Sequence, residues 1–118
     1  MNIVILISKQ ALERLKKDRT VKENKKDYNR EILMIQASGG DRPCELIGQF
    51  TVSPRGGKFI RVAWHFSYNK KTDTKIIYID DLLYHRTQGD YTDNWGHKVR
   101  TGEINLASYS DYTTWVGF

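Results

Sequence analysis

The sequence predicts an α+β fold with a β-α-α-β-β-β order, in which the helices cover one face of a mainly antiparallel sheet. Three observations predict this class. An apolar run begins the chain, two charged amphipathic segments follow it, and strand-like alternation then recurs in consecutive segments. The 118 residues are expected to form one domain, of which residues 87–118 are a loop-rich, aromatic C-terminal extension.

The first strand is predicted from Asn2 to Ile7, a continuous apolar run that is rich in β-branched residues. Such a run is typical of a strand covered on both faces. No basic segment precedes it, no small-residue cleavage site follows it, and it is too short to span a bilayer. We therefore expect a buried strand and no association with a membrane.

Two helices are predicted after this strand. Ser8 is a candidate cap for a short amphipathic helix that ends near Asp18. Thr20 and Glu23 have the spacing of a capping box, which predicts the start of a second helix. The glycine pair at 39–40 is expected to end that helix. The helical hairpin would cover the apolar face of the sheet.

Three strands are predicted next, over Cys44–Val52, Phe59–Tyr68 and 75–85, with a polar turn at 69–73 joining the last two. In the middle one, the even positions from Ile60 to Tyr68 are apolar and belong to the core face. The opposite face, left open to solvent, is predicted to carry Arg61, Ala63, His65 and Ser67.

The remaining features are less determined by pattern. The acidic pair at 80–81 is compatible with an edge, a bend or a helical turn. Short strands are predicted over 104–106 and 112–116. Aromatic residues recur every three positions in the tail, and we expect them to pack the C-terminus onto the domain; they are Tyr109, Tyr112, Trp115 and Phe118.

The formal net charge is +5 and the pI is about 9.4. Residues 1–58 contain 12 Lys and Arg against 7 Asp and Glu, whereas residues 59–118 contain 7 of each, so the excess lies in the N-terminal half. This balance suits either a solvated helix face or a polyanion partner. The single Cys44 excludes an internal disulfide and favours a reducing, cytoplasmic location. The histidines have no zinc-site spacing, so no metal and no cofactor is expected.

Cationic and titratable side chains are expected to converge at one end of the strand pair. Antiparallel pairing through the 69–73 turn would bring the end of the second strand beside the start of the first. His85 and Arg86 would then approach Phe59–Arg61, with Tyr91 just beyond them, while His65 lies farther along the same open face as a candidate for substrate binding. This convergence predicts a functional site on the open face.

These residue types suit metal-independent cleavage of a phosphodiester. Arginine presents a fixed set of donors that matches phosphate oxygens, and histidine exchanges protons near neutral pH. An aromatic side chain can stack on a base of single-stranded RNA, for which Trp64 and Tyr91 are candidates. Arg55 and Lys58, in the loop before the strand, are candidates for contact with the RNA backbone.

The helical hairpin through Ala37 is followed by three strand segments, CELIGQFT from Cys44, KFIRVAW from Lys58 and KIIYI from Lys75. Together they resemble the RelE/ParE superfamily of bacterial toxins. The resemblance covers about four-fifths of the chain. The resemblance implies a toxin of a toxin–antitoxin system that cleaves mRNA, free or on the ribosome, and is neutralised by an antitoxin protein.

The resemblance also implies individual roles. Arg61 and Arg86 would stabilise the scissile phosphate, His85 would transfer a proton, and Tyr91 would stack on a base or assist proton transfer. The second predicted strand carries Glu45 and Gln49 in place of the basic residues frequent in the family's ribonucleases. Two alternatives therefore remain, a non-catalytic relative that inhibits an enzyme such as DNA gyrase, and a nucleic-acid binding module.

Overall fold

A computed structural model of the chain describes residues 1–38, 45–47, 50–52, 60–84, 98, 101–103, 105 and 108–118. The α+β class is confirmed, with the helices on one side of the sheet. In chain order the elements are β1 (Asn2–Ser8), α1 (Lys9–Lys17), α2 (Arg19–Glu23), α3 (Lys25–Ala37), β2 (Glu45–Ile47), β3 (Phe50–Val52), β4 (Ile60–Asn69), β5 (Thr74–Tyr84), a 3-10 turn (Tyr109–Asp111) and β6 (Tyr112–Thr114).

The described strands form one sheet in the order β2-β3-β4-β5-β1-β6. The β4–β5 hairpin pairs from Ile60 with Tyr84 to Asn69 with Thr74, as the sequence predicts. Strand β1 lies parallel to β5, and the other neighbours are antiparallel. Strand β5 is therefore central, which explains why residues 76–79 are apolar at consecutive positions.

The core lies between the sheet and the helices. Side chains of β1, β4 and β5 that face the helices contact the apolar side of α1, α2 and α3. Burial of such side chains contributes about 25 cal/mol for each Å² removed from water. The largest buried side chains of this layer are Trp64, Tyr28, Ile7, Ile32, Ile35, Ile60, Ile77, Ile79 and Leu82.

The caps of the helices differ in part from expectation. The Ser8 hydroxyl accepts from the backbone N–H of Ala11, so the predicted cap of α1 is confirmed. The predicted capping box at Thr20 is wrong. Asp18 caps α2 instead, because its carboxylate accepts from the backbone N–H groups of Thr20 and Val21. A break at Asn24 then separates α2 from α3.

Two predictions about strands are corrected. The segment expected as one strand over Cys44–Val52 contains β2 and β3, paired antiparallel with Ile47 opposite Phe50, so the chain reverses within it. Strand β1 is not covered on both faces along its length, because Val4 is exposed on the side away from the helices. Consecutive residues of β1 are both buried only near its end, at Ile7 and Ser8.

The acidic pair occupies a β-bulge inside β5. Ala63 pairs with Asp81 and Trp64 with Ile79, which leaves Asp80 as the extra residue of the bulged strand. The apolar positions facing the helices therefore change phase, with Ile77 and Ile79 before the bulge and Leu82 after it. None of the alternatives considered for this pair, an edge, a bend or a helical turn, describes a bulge in a central strand.

The sheet face away from the helices is not open in its middle. Ala63 and His65, which were expected there in contact with solvent, are both buried. The short strand expected over 112–116 is confirmed as β6, which pairs with β1 and places Tyr112 on this face. The strand expected over 104–106 lies largely outside the described residues.

Candidate functional site

The helix-free face of the sheet carries a buried polar cluster, composed of His65, Tyr78, Asp80 and Tyr112. The strand register places these residues on β4, β5 and β6. The Nδ1 atom of His65 lies 2.7 Å from Oδ2 of Asp80, and the Tyr112 hydroxyl donates to Oδ1 of the same carboxyl. One carboxyl group thus joins an imidazole and a phenol.

Aromatic rings enclose this cluster. The imidazole of His65 stacks on the ring of Tyr78 with centroids 4.7 Å apart. Tyr109 meets Tyr78 edge-on at 5.1 Å and His65 at 6.1 Å, while its own side chain remains 66% exposed. His65 is 2% exposed and Asp80 is 4% exposed, so Tyr109 and Tyr112 separate the pair from solvent.

Burial governs the electrostatics of the cluster. It raises the pKa of Asp80, and the hydrogen bonds from His65 and Tyr112 act in the opposite direction without cancelling the effect. Burial likewise raises the pKa of the Tyr112 phenol, and the Asp80 carboxyl beside it adds to that shift. The phenol is therefore neutral across the physiological range and serves as a donor.

A second polar group joins the same strand to the helices. Asp81 is buried and accepts from Nε of Arg14 at 2.6 Å and from the amide of Gln10 at 3.0 Å. Arg14 and Gln10 also line a shallow pocket of about 390 Å³ on α1, together with Glu13, Lys17 and Asp18. The pocket lining combines two cationic and two anionic side chains, so its charge does not select for an anionic ligand.

Three of the predicted site residues lie in the described part of the chain. Arg61 is partly exposed on the helix-free face, and its guanidinium donates to the backbone carbonyl of Ile60 at 2.7 Å. His65 is on the same face but is covered. Trp64 is 1% exposed in the core beneath the helices, so the structure does not present its ring for stacking on a base.

The other predicted site residues lie outside the described residues; they are His85, Arg86, Tyr91, Arg55 and Lys58. The structure does show how the residues immediately before His85 pair with β4. Tyr84 pairs with Ile60 and Leu83 pairs with Arg61 at the end of the hairpin, and the chain continues from Tyr84 into His85. The expected convergence with Arg61 is therefore compatible with the strand pairing.

Sequence reasoning missed Asp80 and Tyr112 as partners of His65. One signal was present, because two acidic residues interrupt an apolar strand while the apolar spacing changes from two to three. Such a change of phase indicates a bulge, and a bulge redirects a side chain. The pairing of β6 with β1 carries no comparable local signal.

Within the described residues, no group of three His, Cys, Asp or Glu side chains is arranged to hold a metal ion. The helices of the same region lack the length and apolar character that crossing a bilayer requires. Comparisons of the chain with protein-family models, with curated proteins and with solved structures give no match.

Proposed function

We propose that this protein is a RelE-like bacterial toxin that acts in the cytoplasm as a metal-independent endoribonuclease. Its substrate is mRNA, free or on the ribosome, and its partner is a neutralising antitoxin. The observation that carries the proposal is the position of Arg61. It lies partly exposed on the helix-free face, at the end of β4 that pairs with the residues leading directly into His85 and Arg86.

The chemistry requires no atom from outside the protein and the RNA. A base takes the proton of the ribose 2′-hydroxyl, the 2′-oxygen attacks phosphorus, and the bond to the 5′-oxygen breaks as an acid protonates that oxygen. The products are a 2′,3′-cyclic phosphate and a 5′-hydroxyl. Arg61 would stabilise the charge that develops on the phosphate oxygens, which is the function of a preorganised cation.

Substitution of Arg61 by Ala tests this proposal. Loss of one preorganised donor to the transition state lowers kcat by about 10²–10³-fold. The measurement is cleavage of RNA by the purified protein, with and without translating ribosomes, and identification of the cyclic phosphate end. Arg30→Ala is the matched control, because Arg30 is an exposed arginine of α3 that pairs with Asp27. Wild-type cleavage by Arg61→Ala protein with an unchanged melting temperature would refute the role of Arg61.

A nucleic-acid binding module is the second candidate function, favoured by the exposed lysines of the helices. Lys16, Lys17, Lys25 and Lys26 are all exposed on α1 and α3. If this surface provides the main contact with RNA, reversing the charge of all four lysines should abolish RNA binding. The salt dependence of binding should fall accordingly. Retained binding at low salt together with RNA cleavage would instead favour the endonuclease. Absence of both activities would favour the non-catalytic alternative, inhibition of another enzyme.

A further inference from the structure

The C-terminal segment 108–114, called the strap here, covers the His65–Asp80 pair. Tyr112 reaches Asp80 with its hydroxyl, and Tyr109 lies with its ring edge toward His65. Among the described residues, Tyr78, on the same strand as Asp80, forms the remaining aromatic wall of the pair. In this part of the structure the strap is therefore the segment that separates the pair from solvent.

Among the described residues, the strap makes few contacts with the rest of the protein. Its strand β6 pairs with β1 over three residues, and one further backbone bond joins Trp115 N–H to the carbonyl of Ile5. Within the strap only Tyr112 is buried, and the other side chains are exposed. Segments with few buried contacts open at a lower free energy than the whole domain unfolds. The hydrogen bond between Tyr112 and Asp80 is thus the main side-chain contact that holds the strap in place.

We propose that His65 and Asp80 form a proton-transfer pair whose access is controlled by the strap, and that its substrate is the ribose 2′-hydroxyl of RNA. The choice of substrate rests on the proposed function, whereas the control of access does not. Once the strap is displaced, Asp80 holds Nδ1 of His65, and the 2′-hydroxyl proton passes to Nε2. The 5′-oxygen leaves protonated, as described above.

A purely structural role explains the cluster less well. A buried ionisable pair is often no more stabilising than apolar residues of the same volume. Here the chain also departs from regular pairing, since the bulge turns Asp80 toward His65 in the centre of the sheet. Bulges of this kind redirect side chains next to functional sites. The bulge interrupts the regular strand pairing and places a carboxyl group against an imidazole.

The accessibility of His65 tests the strap directly. Diethyl pyrocarbonate modifies an accessible, neutral imidazole, and mass spectrometry of peptides resolves modification at His65. Tyr112→Phe removes the bond to Asp80, and the rate at His65 should rise roughly tenfold or more, the factor expected for one hydrogen bond to a carboxyl. Tyr109→Phe is the matched control, because no hydrogen bond of its hydroxyl occurs among the described residues, and its rate should stay within about twofold. Equal rates in both variants would overturn the proposal.

A reversible cross-link tests whether opening is required for activity. Leu6 and Thr114 are paired across β1 and β6, a separation that suits a disulfide. The variant that combines Leu6→Cys with Thr114→Cys is made in a Cys44→Ser background. Oxidation should slow the modification of His65 in this variant, and reduction should restore the rate. RNA cleavage should follow the same pattern. Cleavage that is unaffected by the closed cross-link would overturn the catalytic role of the pair. Modification that follows the cross-link in a protein that never cleaves RNA would support the strap and refute the endonuclease.

The positioning role of Asp80 has its own test. In Asp80→Asn the amide can donate to Nδ1 of His65, which leaves the ring proton on Nε2 and removes its capacity to accept. We expect kcat to fall by about 10²-fold or more with KM unchanged, since general-base catalysis is lost and RNA binding is not. A rise in KM with unchanged kcat would show that Asp80 acts only on the structure of the face.

Discussion

Adjacent carboxyl groups at 80 and 81 have different partners because they occupy a bulge. Asp80 meets His65 and Tyr112 on the helix-free face, whereas Asp81 meets Arg14 and Gln10 of α1. In a regular strand the side chains at 79 and 81 would share one face, and those at 80 and 82 would share the other. Leu82 would then leave the face on which Ile79 packs. The extra residue lets β5 carry two adjacent carboxyl groups with separate partners while Ile79 and Leu82 both reach the core.

The ion pair of Asp81 with Arg14 should contribute strongly to stability. Asp81→Asn leaves Arg14 without its buried counterion, and we expect a loss of about 2–4 kcal/mol in the free energy of unfolding, since breaking a buried pair costs more than a surface one. The measurement is urea denaturation followed by circular dichroism. Asp27→Asn is the control, because Asp27 pairs with Arg30 at the surface and should cost at most about 0.5 kcal/mol. Equal effects of the two substitutions would contradict the importance of burial.

At the scale of elements, the helical layer is divided where the sequence suggests continuity. Three helices take the place of the expected two, because Asp18 begins α2 and Asn24 ends it. The carboxylate of Asp18 satisfies two backbone N–H groups that have no partner within a five-residue helix. This short helix directs Val21 into the core.

The cap of α2 can be assigned by two substitutions. Asp18→Ala should destabilise the protein by about 1 kcal/mol, the usual loss for a helix cap. Thr20→Ala should cost less than about 0.5 kcal/mol, because the Thr20 side chain does not cap the helix that the structure shows. Thermal and chemical denaturation measure both. The reverse order would favour the capping box expected from the sequence.

Local patterns predict the elements whose signal lies within a few residues. The strand β4, the polar turn after it and the Ser8 cap of α1 are all of this kind, and each is confirmed. The predicted alternation of burial along β4 is wrong, because residues 62–65 are buried on both faces. The division of 44–52 into two strands was missed although the sequence contains a local signal for it, since Gly48 follows Ile47 and glycine is typical of the first position of a two-residue hairpin loop. At the helix break that ends α2, the side-chain amide of Asn24 donates to the carbonyl of Thr20.

At the scale of the whole molecule, the ends of the chain complete the sheet. Strand β1 enters between β5 and β6, so its partners come from the distant middle and end of the sequence. Nothing near residues 2–8 indicates either partner. For the same reason the sequence indicates Arg61 and His65 as site residues but does not show that the tail covers His65, since that contact joins residues far apart in the chain.

The start of the chain is tied to the β4–β5 turn by Asp73. The N-terminal ammonium lies 3.3 Å from its carboxylate, the Tyr68 hydroxyl donates to it, and Asn2 N–H donates to its backbone carbonyl. The hydrogen bond from Tyr68, followed by that from the N-terminus, lowers the pKa of Asp73. A lowered folded-state pKa stabilises the protein above the ordinary carboxyl range, and this contribution is lost as the pH falls through the folded-state value.

Substitution of Asp73 should therefore alter how strongly the stability of the protein falls at acid pH. Asp73→Asn is expected to weaken the dependence of the melting temperature on pH below about pH 4, with the difference between the proteins largest near neutrality. Calorimetry over an acid series measures it, and NMR titration of the Asp73 carboxyl gives the direction of its pKa shift. Because the group is exposed, salt should reduce the difference. Parallel pH profiles for the two proteins would exclude the interaction.

The parallel pairing of β1 with β5 has a consequence for synthesis. The first apolar strand leaves the ribosome long before its neighbour, since Ile5 pairs with Ile77 and Ile7 with Ile79. Until then the nascent chain presents an unpaired apolar strand, and contacts of such sequence separation form slowly. A hydrophobic segment that emerges early and is buried late is suited to capture by a chaperone. Truncated nascent chains that end before residue 74 should therefore be protease-sensitive, and those that extend beyond β5 should become protected.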